Sequence, residues 1–160
     1  LCSEIDDTLE SSLNFAFHSD LGYLTACPTN VGTGLRASVM VHLPCITMTG
    51  NINPLIEALR KIGLPVRGFH GEGTEASGNL YQISNQTTLG DTEEEIINKL
   101  NKIIYQIVTR ERNTRKYLLN KKGIELEDKT FRSFGILKNS RLTYGRYFTC
   151  YYSKKFNWRN

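Results

Sequence analysis

The feature that most constrains the fold is a short segment whose side chains alternate in character. Between residues 36 and 43, Val39, Val41 and Leu43 occupy every second position. The residues between and before them are Arg36, Ser38, Met40 and His42. Because successive side chains of a strand point to opposite faces, this spacing predicts a strand with one buried face and one exposed face.

Two further strands are predicted at 64–69 and 79–85, each bounded by glycine-rich or polar sequence. A helix is predicted between the first two strands. We expect Asn53 as its N-cap, Pro54 at its first position and Gly63 at its end.

Helical patterns also flank the strands. Ser3, with an acid three residues later, predicts the start of a first helix. The apolar stripe of that helix is Ile5, Leu9, Leu13 and Phe17. Thr92 and Glu95 form a capping box that opens a long amphipathic helix toward Leu118, and a separate short helix is predicted at 127–137. Helices of mixed length, without a strict βαβ rhythm, indicate an α+β fold.

Composition limits the class of protein. The chain has 160 residues, of which 39% are hydrophobic and 22% charged, which excludes a disordered tail, a collagen repeat or a coiled-coil rod. No apolar run approaches the roughly 18 residues that a membrane span needs. The net charge is +4, and residues 142–160 hold four of the 20 bases, none of the 16 acids and seven aromatic residues. Basic residues among aromatics raise the hypothesis of a single-stranded nucleic-acid partner, although we favour an aberrant or truncated reading frame as the origin of this stretch.

Neither the cysteines nor the histidines indicate a metal site. The four cysteines are far apart, and with no secretory signal we expect reduced thiols in a cytoplasm. The three histidines are scattered singly, so we predict no metal ligands. A glycine-rich match at 71–76 resembles a dinucleotide fingerprint, but a strand follows it where that fingerprint needs a helix, and we reject it.

Several residues allow two interpretations when taken singly. Arg36 and Met40 stand about 13 Å apart on one strand face, a distance that suits a nucleotide, although a surface arginine is the simpler interpretation. Cys27 is either a buried inert thiol or a thiolate stabilised by nearby cations. Glu72 and Glu75 lie in a loop after Arg67 that could close over a ligand, or are solvated charges.

Four stretches carry a family resemblance: 22–39, 67–75, 81–86 and 124–128. The first reads Gly-Tyr-Leu-Thr-Ala-Cys-Pro-Thr-Asn-Val-Gly-Thr-Gly-Leu-Arg-Ala-Ser-Val. Together they resemble the ATP:guanido phosphotransferases, the phosphagen kinases, and most of all the bacterial protein-arginine kinase branch. The resemblance runs from about residue 4 to about residue 140.

The resemblance implies an antiparallel sheet flanked by helices and transfer of the ATP γ-phosphoryl group to a guanidinium nitrogen, with Mg²⁺ held through the nucleotide phosphates. It implies that Cys27 and Glu72 face the guanidinium, that Arg36 and Arg67 bind phosphates, and that Met40 lies near the adenine. The implied catalytic residues are Cys27, Glu72 and Glu75. The implied ATP-binding residues are Arg36, Ala37, Ser38, Val39, Met40, Arg67, Gly68, Phe69, His70, Gly71 and Glu72.

The resemblance also implies arginine-bearing protein substrates, an activator protein and a protease-associated repressor. Since no apolar run could span a bilayer we expect no membrane partner, and we do not expect a nucleic-acid partner. Further phosphate-binding arginines of the family precede this motif and have no match here. We therefore expect residues 1–141 to be the C-terminal part of a catalytic domain, inactive alone, with 142–160 a divergent basic and aromatic tail. Two alternatives stay open: a kinase for free arginine or another small guanidino compound, and a non-catalytic nucleotide- or nucleic-acid-binding remnant.

Overall fold

The computed structural model describes residues 2–68 and 77–141, and within them it contains four α-helices and five β-strands. The helices are α1 (Cys2–Glu10), α2 (Pro44–Met48), α3 (Ile52–Lys61) and α4 (Glu93–Asn139). The strands are β1 (Phe17–His18), β2 (Gly22–Tyr23), β3 (Ser38–His42), β4 (Val66–Gly68) and β5 (Leu80–Ser84). Antiparallel strands flanked by helices confirm the predicted α+β class.

Strands β3, β5 and β4 form one antiparallel sheet in that spatial order. Val39 and Val41 of β3 pair with Ile83 and Tyr81 of β5, so apolar side chains align on one face. The core built on this face contains Val41, Leu43, Ile46, Leu55, Leu59, Leu64, Tyr81, Ile83, Leu100 and Ile107. The alternation predicted for 36–43 is confirmed, although the ladder begins two residues later than predicted.

Helix α2 was absent from the sequence prediction, because five residues are too few to show a helical period. A proline opens it, in the position where a missing N–H costs nothing. Its first amides are capped from far along the chain: the Glu111 carboxylate of α4 accepts hydrogen bonds from the N–H groups of Cys45 and Ile46, both at 2.9 Å. A buried carboxylate therefore ties α2 to α4.

The start predicted for the next helix was wrong by two residues. Helix α3 begins at Ile52 with Asn51 at its N-cap, because α2 and the turn at Gly50 (φ +73°) end immediately before it. Pro54 lies at the third helical position, where its missing N–H is still among those without an intrahelical partner. The predicted end is confirmed, since Gly63 follows the helix with φ +77°.

Helix α4 carries the capping box that was predicted. Thr92 Oγ1 accepts from the Glu95 N–H at 3.3 Å, and the Glu95 carboxylate accepts from the Thr92 N–H at 2.9 Å. The separate helix predicted at 127–137 was wrong, because α4 continues through it to Asn139 with one non-helical residue, Lys122. Among the described residues, no helix is both long enough and apolar enough to cross a membrane.

The N-terminal segment, residues 2–23, differs from the sheet region, which consists of β3, β4 and β5 with the helices α2, α3 and α4 that share its core. Helix α1 begins at Cys2, one residue before the predicted start, and ends at Glu10. The stripe predicted to run on through Leu13 and Phe17 therefore leaves the helix, and Phe17 lies in the β1–β2 hairpin. There its ring packs edge-on against Tyr23, with 5.3 Å between ring centroids.

Candidate functional site

A cleft of about 260 Å³ brings together two of the predicted site residues, Arg36 and Arg67. Its remaining lining residues are polar or neutral: Thr29, Asn30, Pro65, Asn85, Gln86 and Thr88. Two guanidinium groups and no carboxylate among these residues suit an anion, and arginine binds phosphate oxygens in pairs. Since ligand pockets are typically about 300–1,000 Å³, the cleft suits a phosphate chain rather than a whole nucleotide.

The exposed face of the sheet adjoins this cleft. Met40 of β3 and Arg67 of β4 both pair with Gln82 of the central strand, so the three side chains lie in a row across the sheet. Gln82 Nε2 donates to Ser38 Oγ at 3.0 Å. With neighbouring strands about 4.8 Å apart, Met40 and Arg67 stand roughly 10 Å apart, as adenine and phosphates of one nucleotide require.

Two other predicted binding residues, one just before β3 and one within it, face the opposite way. Ala37 and Val39 are partly buried and pack against the hydrophobic core. Any contact of theirs with a nucleotide would come from their backbone groups. Gly68 is buried at the end of β4, opposite Tyr81.

Cys27 lies in an exposed loop that also supplies part of the cleft. Its Sγ is 3.0 Å from Thr29 Oγ1, and its carbonyl accepts from the Thr25 hydroxyl at 2.6 Å. Hydrogen bonds from the Thr29 hydroxyl and then from the Thr29 N–H stabilise the thiolate, which lowers the pKa of Cys27 below that of an ordinary thiol. The other cysteine with a described side chain is different: burial raises the pKa of Cys45 to about 12.

Part of the predicted site lies outside the described residues. The loop predictions Phe69, His70, Gly71, Glu72 and Glu75 belong to this part, as does the tail at 142–160. Of the predicted residues within the described ranges, Arg36 and Arg67 meet in the cleft, Ser38 and Met40 share the exposed sheet face with Arg67, and Cys27 lies two residues from the lining residue Thr29.

Sequence reasoning assigned no site role to the segment that follows β5, although the resemblance includes its first residues, Asn85 and Gln86. Asn85, Gln86 and Thr88 all line the cleft, and Asn85 and Thr88 are bonded to the loop before β3. The available signal was the cluster of polar residues directly after a buried strand, which usually indicates only a loop.

Comparison with known proteins gives one family match. The model of the "ATP:guanido phosphotransferase, C-terminal catalytic domain" matches residues 1–114. The chain is 57% identical over 140 residues to the protein-arginine kinase of Geobacillus thermodenitrificans, covering 88% of this chain and 39% of that protein. It is 59% identical over 138 residues to the protein-arginine kinase of Halothermothrix orenii, covering 86% and 40%. The chain thus spans about two fifths of the length of these relatives.

Solved structures show the same architecture. The duplicated taurocyamine kinase from Schistosoma mansoni, with bound transition-state analogue components, superposes with a TM-score of 0.59 at 35% identity, covering 72% of this chain and 16% of that one. Lombricine kinase superposes with a TM-score of 0.56 at 34% identity, covering 67% and 29%.

Proposed function

Because this chain belongs to the ATP:guanido phosphotransferase family, we propose that it forms part of the catalytic domain of a protein-arginine kinase. The reaction moves the γ-phosphoryl group of ATP to a guanidinium nitrogen of an arginine in another protein. The bond from the γ-phosphorus to the bridging oxygen breaks, a P–N bond forms, ADP leaves and the nitrogen loses a proton. The observation that carries this proposal is the meeting of Arg36 and Arg67 in one cleft beside the Cys27 loop.

On the nucleotide side, Arg36 and Arg67 bind phosphate oxygens while Met40 contacts the adenine. Phosphoryl transfer gives a protein little covalent chemistry to do, so catalysis comes from positioning and from cations that stabilise the transferring group. Magnesium, when bound through the nucleotide phosphates, neutralises part of their charge.

On the acceptor side, the Cys27 thiolate and the Glu72 carboxylate align the guanidinium, and Glu72 accepts its proton, with Glu75 as a second acid of that loop. A guanidinium is a poor nucleophile while protonated, so anions that hold it and ease loss of the proton favour attack. The lowered pKa of Cys27 supports this role, because a thiolate attracts the cation where a thiol does not.

Similarity favours a protein acceptor over a small one. The relatives at 57% and 59% identity are protein-arginine kinases, whereas the taurocyamine and lombricine kinases share only 35% and 34% identity with this chain.

We place the reaction in the cytoplasm, and we expect an activator protein and a protease-associated repressor as partners. We further propose that residues 1–141 form the family part of the chain and that residues 142–160 are a divergent tail.

A chimera tests the proposal. Residues 1–141 of this chain would replace the matching 140-residue segment of the G. thermodenitrificans relative. Phosphoarginine would then be measured by mass spectrometry on an arginine-rich protein with ATP and magnesium. We expect activity from the chimera and none from the 160-residue chain alone. Arg36→Ala and Arg67→Ala should each lower kcat/KM about 100-fold or more. The matched control is Arg60→Ala, an exposed arginine of α3, which should leave kcat/KM unchanged.

Other results would point elsewhere. Full activity in a Cys27→Ala, Glu72→Ala double variant would contradict the acceptor assignment. Phosphorylation of free arginine but of no protein would favour a small-molecule kinase. Salt-dependent binding of single-stranded DNA by the 160-residue chain, lost on deleting residues 142–160, would favour the nucleic-acid alternative.

A further inference from the structure

The segment 85–88, directly after β5, contacts both parts of the site that come earlier in the chain. Asn85 reaches the backbone on either side of Arg36, and Thr88 reaches the loop that carries Cys27 and Thr29. Each contact joins residues about 50 positions apart or more, so the contacts exist only in the folded chain.

Asn85 fixes both peptide groups that flank Arg36. Its Oδ1 accepts from the Ala37 N–H at 2.9 Å, and its Nδ2 donates to the Leu35 carbonyl at 2.9 Å. The Asn85 N–H also donates to the Ala37 carbonyl at 3.3 Å. Because the β3–β5 ladder starts only at Ser38, the amide of Asn85 continues the pairing past the end of the ladder. Arg36 thereby leaves the sheet in one direction, toward the cleft.

Thr88 holds the neighbouring loop in a similar way but at a different place. Its hydroxyl donates to the Val31 carbonyl at 2.7 Å, with the Thr29 carbonyl 3.2 Å away. Its own carbonyl accepts from the Thr33 N–H at 3.1 Å. A Cβ on Gly32 (φ +111°) would stand 2.3 Å from the carbonyl oxygen of Thr88, so only glycine permits this close approach of the two backbones. Thr88 is 4% exposed, which makes the contact a buried one.

We propose that Asn85 and Thr88 are positioning residues that act on different halves of the site. Asn85 sets the direction of Arg36 toward the phosphates, and Thr88 sets the loop in which Thr29 stabilises the Cys27 thiolate. The inference rests on the proposed function for the identity of the ligands. A displacement of about 1 Å in a catalytic group can cost about 100-fold in rate, so loss of either anchor affects the group that it holds.

Two substitutions and two measurements test the inference. Asn85→Leu and Thr88→Val keep the approximate shape of each side chain and remove its hydrogen bonds. The first measurement is KM for ATP in the chimera. The second is the pH dependence of Cys27 alkylation in the 160-residue chain, with peptide mapping to separate Cys27 from the other cysteines.

We expect each variant to change mainly one of the two measured quantities. Asn85→Leu should raise KM for ATP about tenfold and leave the Cys27 profile unchanged. Thr88→Val should move the Cys27 profile to higher pH and raise KM for ATP less than Asn85→Leu does, because the hydroxyl it removes is bonded to the Cys27 loop and not to the backbone beside Arg36. Thr88→Ser, which keeps the hydroxyl, should restore the profile. Thr87→Val is the matched control, because Thr87 is exposed and lies next to Thr88. It should alter neither measurement.

The inference is wrong if both variants shift both measurements together in proportion to their loss of thermal stability, since that is the result of a purely structural role. It is also wrong if Asn85→Leu leaves KM for ATP unchanged in an active chimera. If the unsubstituted chimera does not use ATP, the proposed function is wrong, and the role proposed for Asn85 is wrong as well. The Thr88 role is then still decided by the alkylation profile, which needs no activity.

Discussion

Large apolar side chains occur in both the sheet region and the N-terminal segment, but many of them are buried in the first, whereas they are exposed in the second. In the sheet region Ile83 and Ile46 are completely buried. In residues 3–21 every residue is exposed, including Ile5 at 53% and Phe17 at 60%. Both regions have an amphipathic pattern. The pattern therefore indicates which side chains favour burial. Only the packing of the described residues shows which of those side chains are buried.

The loop that carries the site connects these two regions. It follows the β1–β2 hairpin and leads into β3, and polar contacts from Asn85 and Thr88 hold it rather than apolar burial. Such an arrangement leaves the polar side chains of the cleft accessible to a ligand while their backbone is fixed.

The largest expected effect comes from making the same substitution in both regions. Ile83→Ala removes a fully buried side chain and should lower the free energy of unfolding by about 2–5 kcal/mol. Ile5→Ala in α1 should change it by less than about 0.5 kcal/mol. Urea unfolding of the 160-residue chain, followed by circular dichroism, measures both. Equal losses would show that α1 is packed as tightly as the sheet and would remove the contrast.

A smaller effect is expected at the buried carboxylate of α4. Glu111→Gln replaces one of the two oxygens that cap α2 with an NH₂ group, which cannot accept from the Cys45 or Ile46 N–H. The free energy of unfolding should fall by about 1.5–3 kcal/mol, the range for hydrogen bonds to charged groups. Glu57→Gln, at an exposed site on α3, is the control and should have almost no effect. If Glu111→Gln left the free energy of unfolding unchanged, α2 would need no cap from α4.

The smallest effect concerns the loop between the two regions and leaves stability nearly unchanged. Thr29→Val removes the hydroxyl that stabilises the Cys27 thiolate, so the pKa of Cys27 should rise toward that of an ordinary thiol. Since the thiolate is the nucleophile, alkylation at neutral pH should slow and its pH profile should move upward. Thr29→Ser should keep the original profile. A profile that does not respond to Thr29→Val would place the cause elsewhere than in this hydrogen bond.

The local features of the fold could be predicted from the sequence because their causes are local. The alternation in β3, the capping box at Thr92 and the glycine after α3 each involve residues within a few positions of one another. Predictions failed where a neighbouring element intervened. Helix α2 moved the start of α3, and the helical continuation beyond Lys122 joined two predicted helices into one.

The sequence by itself determined the family, through the motif around Cys27 and Arg36, and the buried face of β3, through its period of two. It named Arg36 and Arg67 as phosphate ligands only through the resemblance. Tertiary structure alone decided that the two arginines share a cleft, that Glu111 caps a helix 66 residues earlier in the chain, and that Asn85 and Thr88 hold the loop of the site. The physical reason is that hydrogen bonds and charge pairs depend on distances of about 3 Å, and between residues far apart in the chain only the packed core sets such distances.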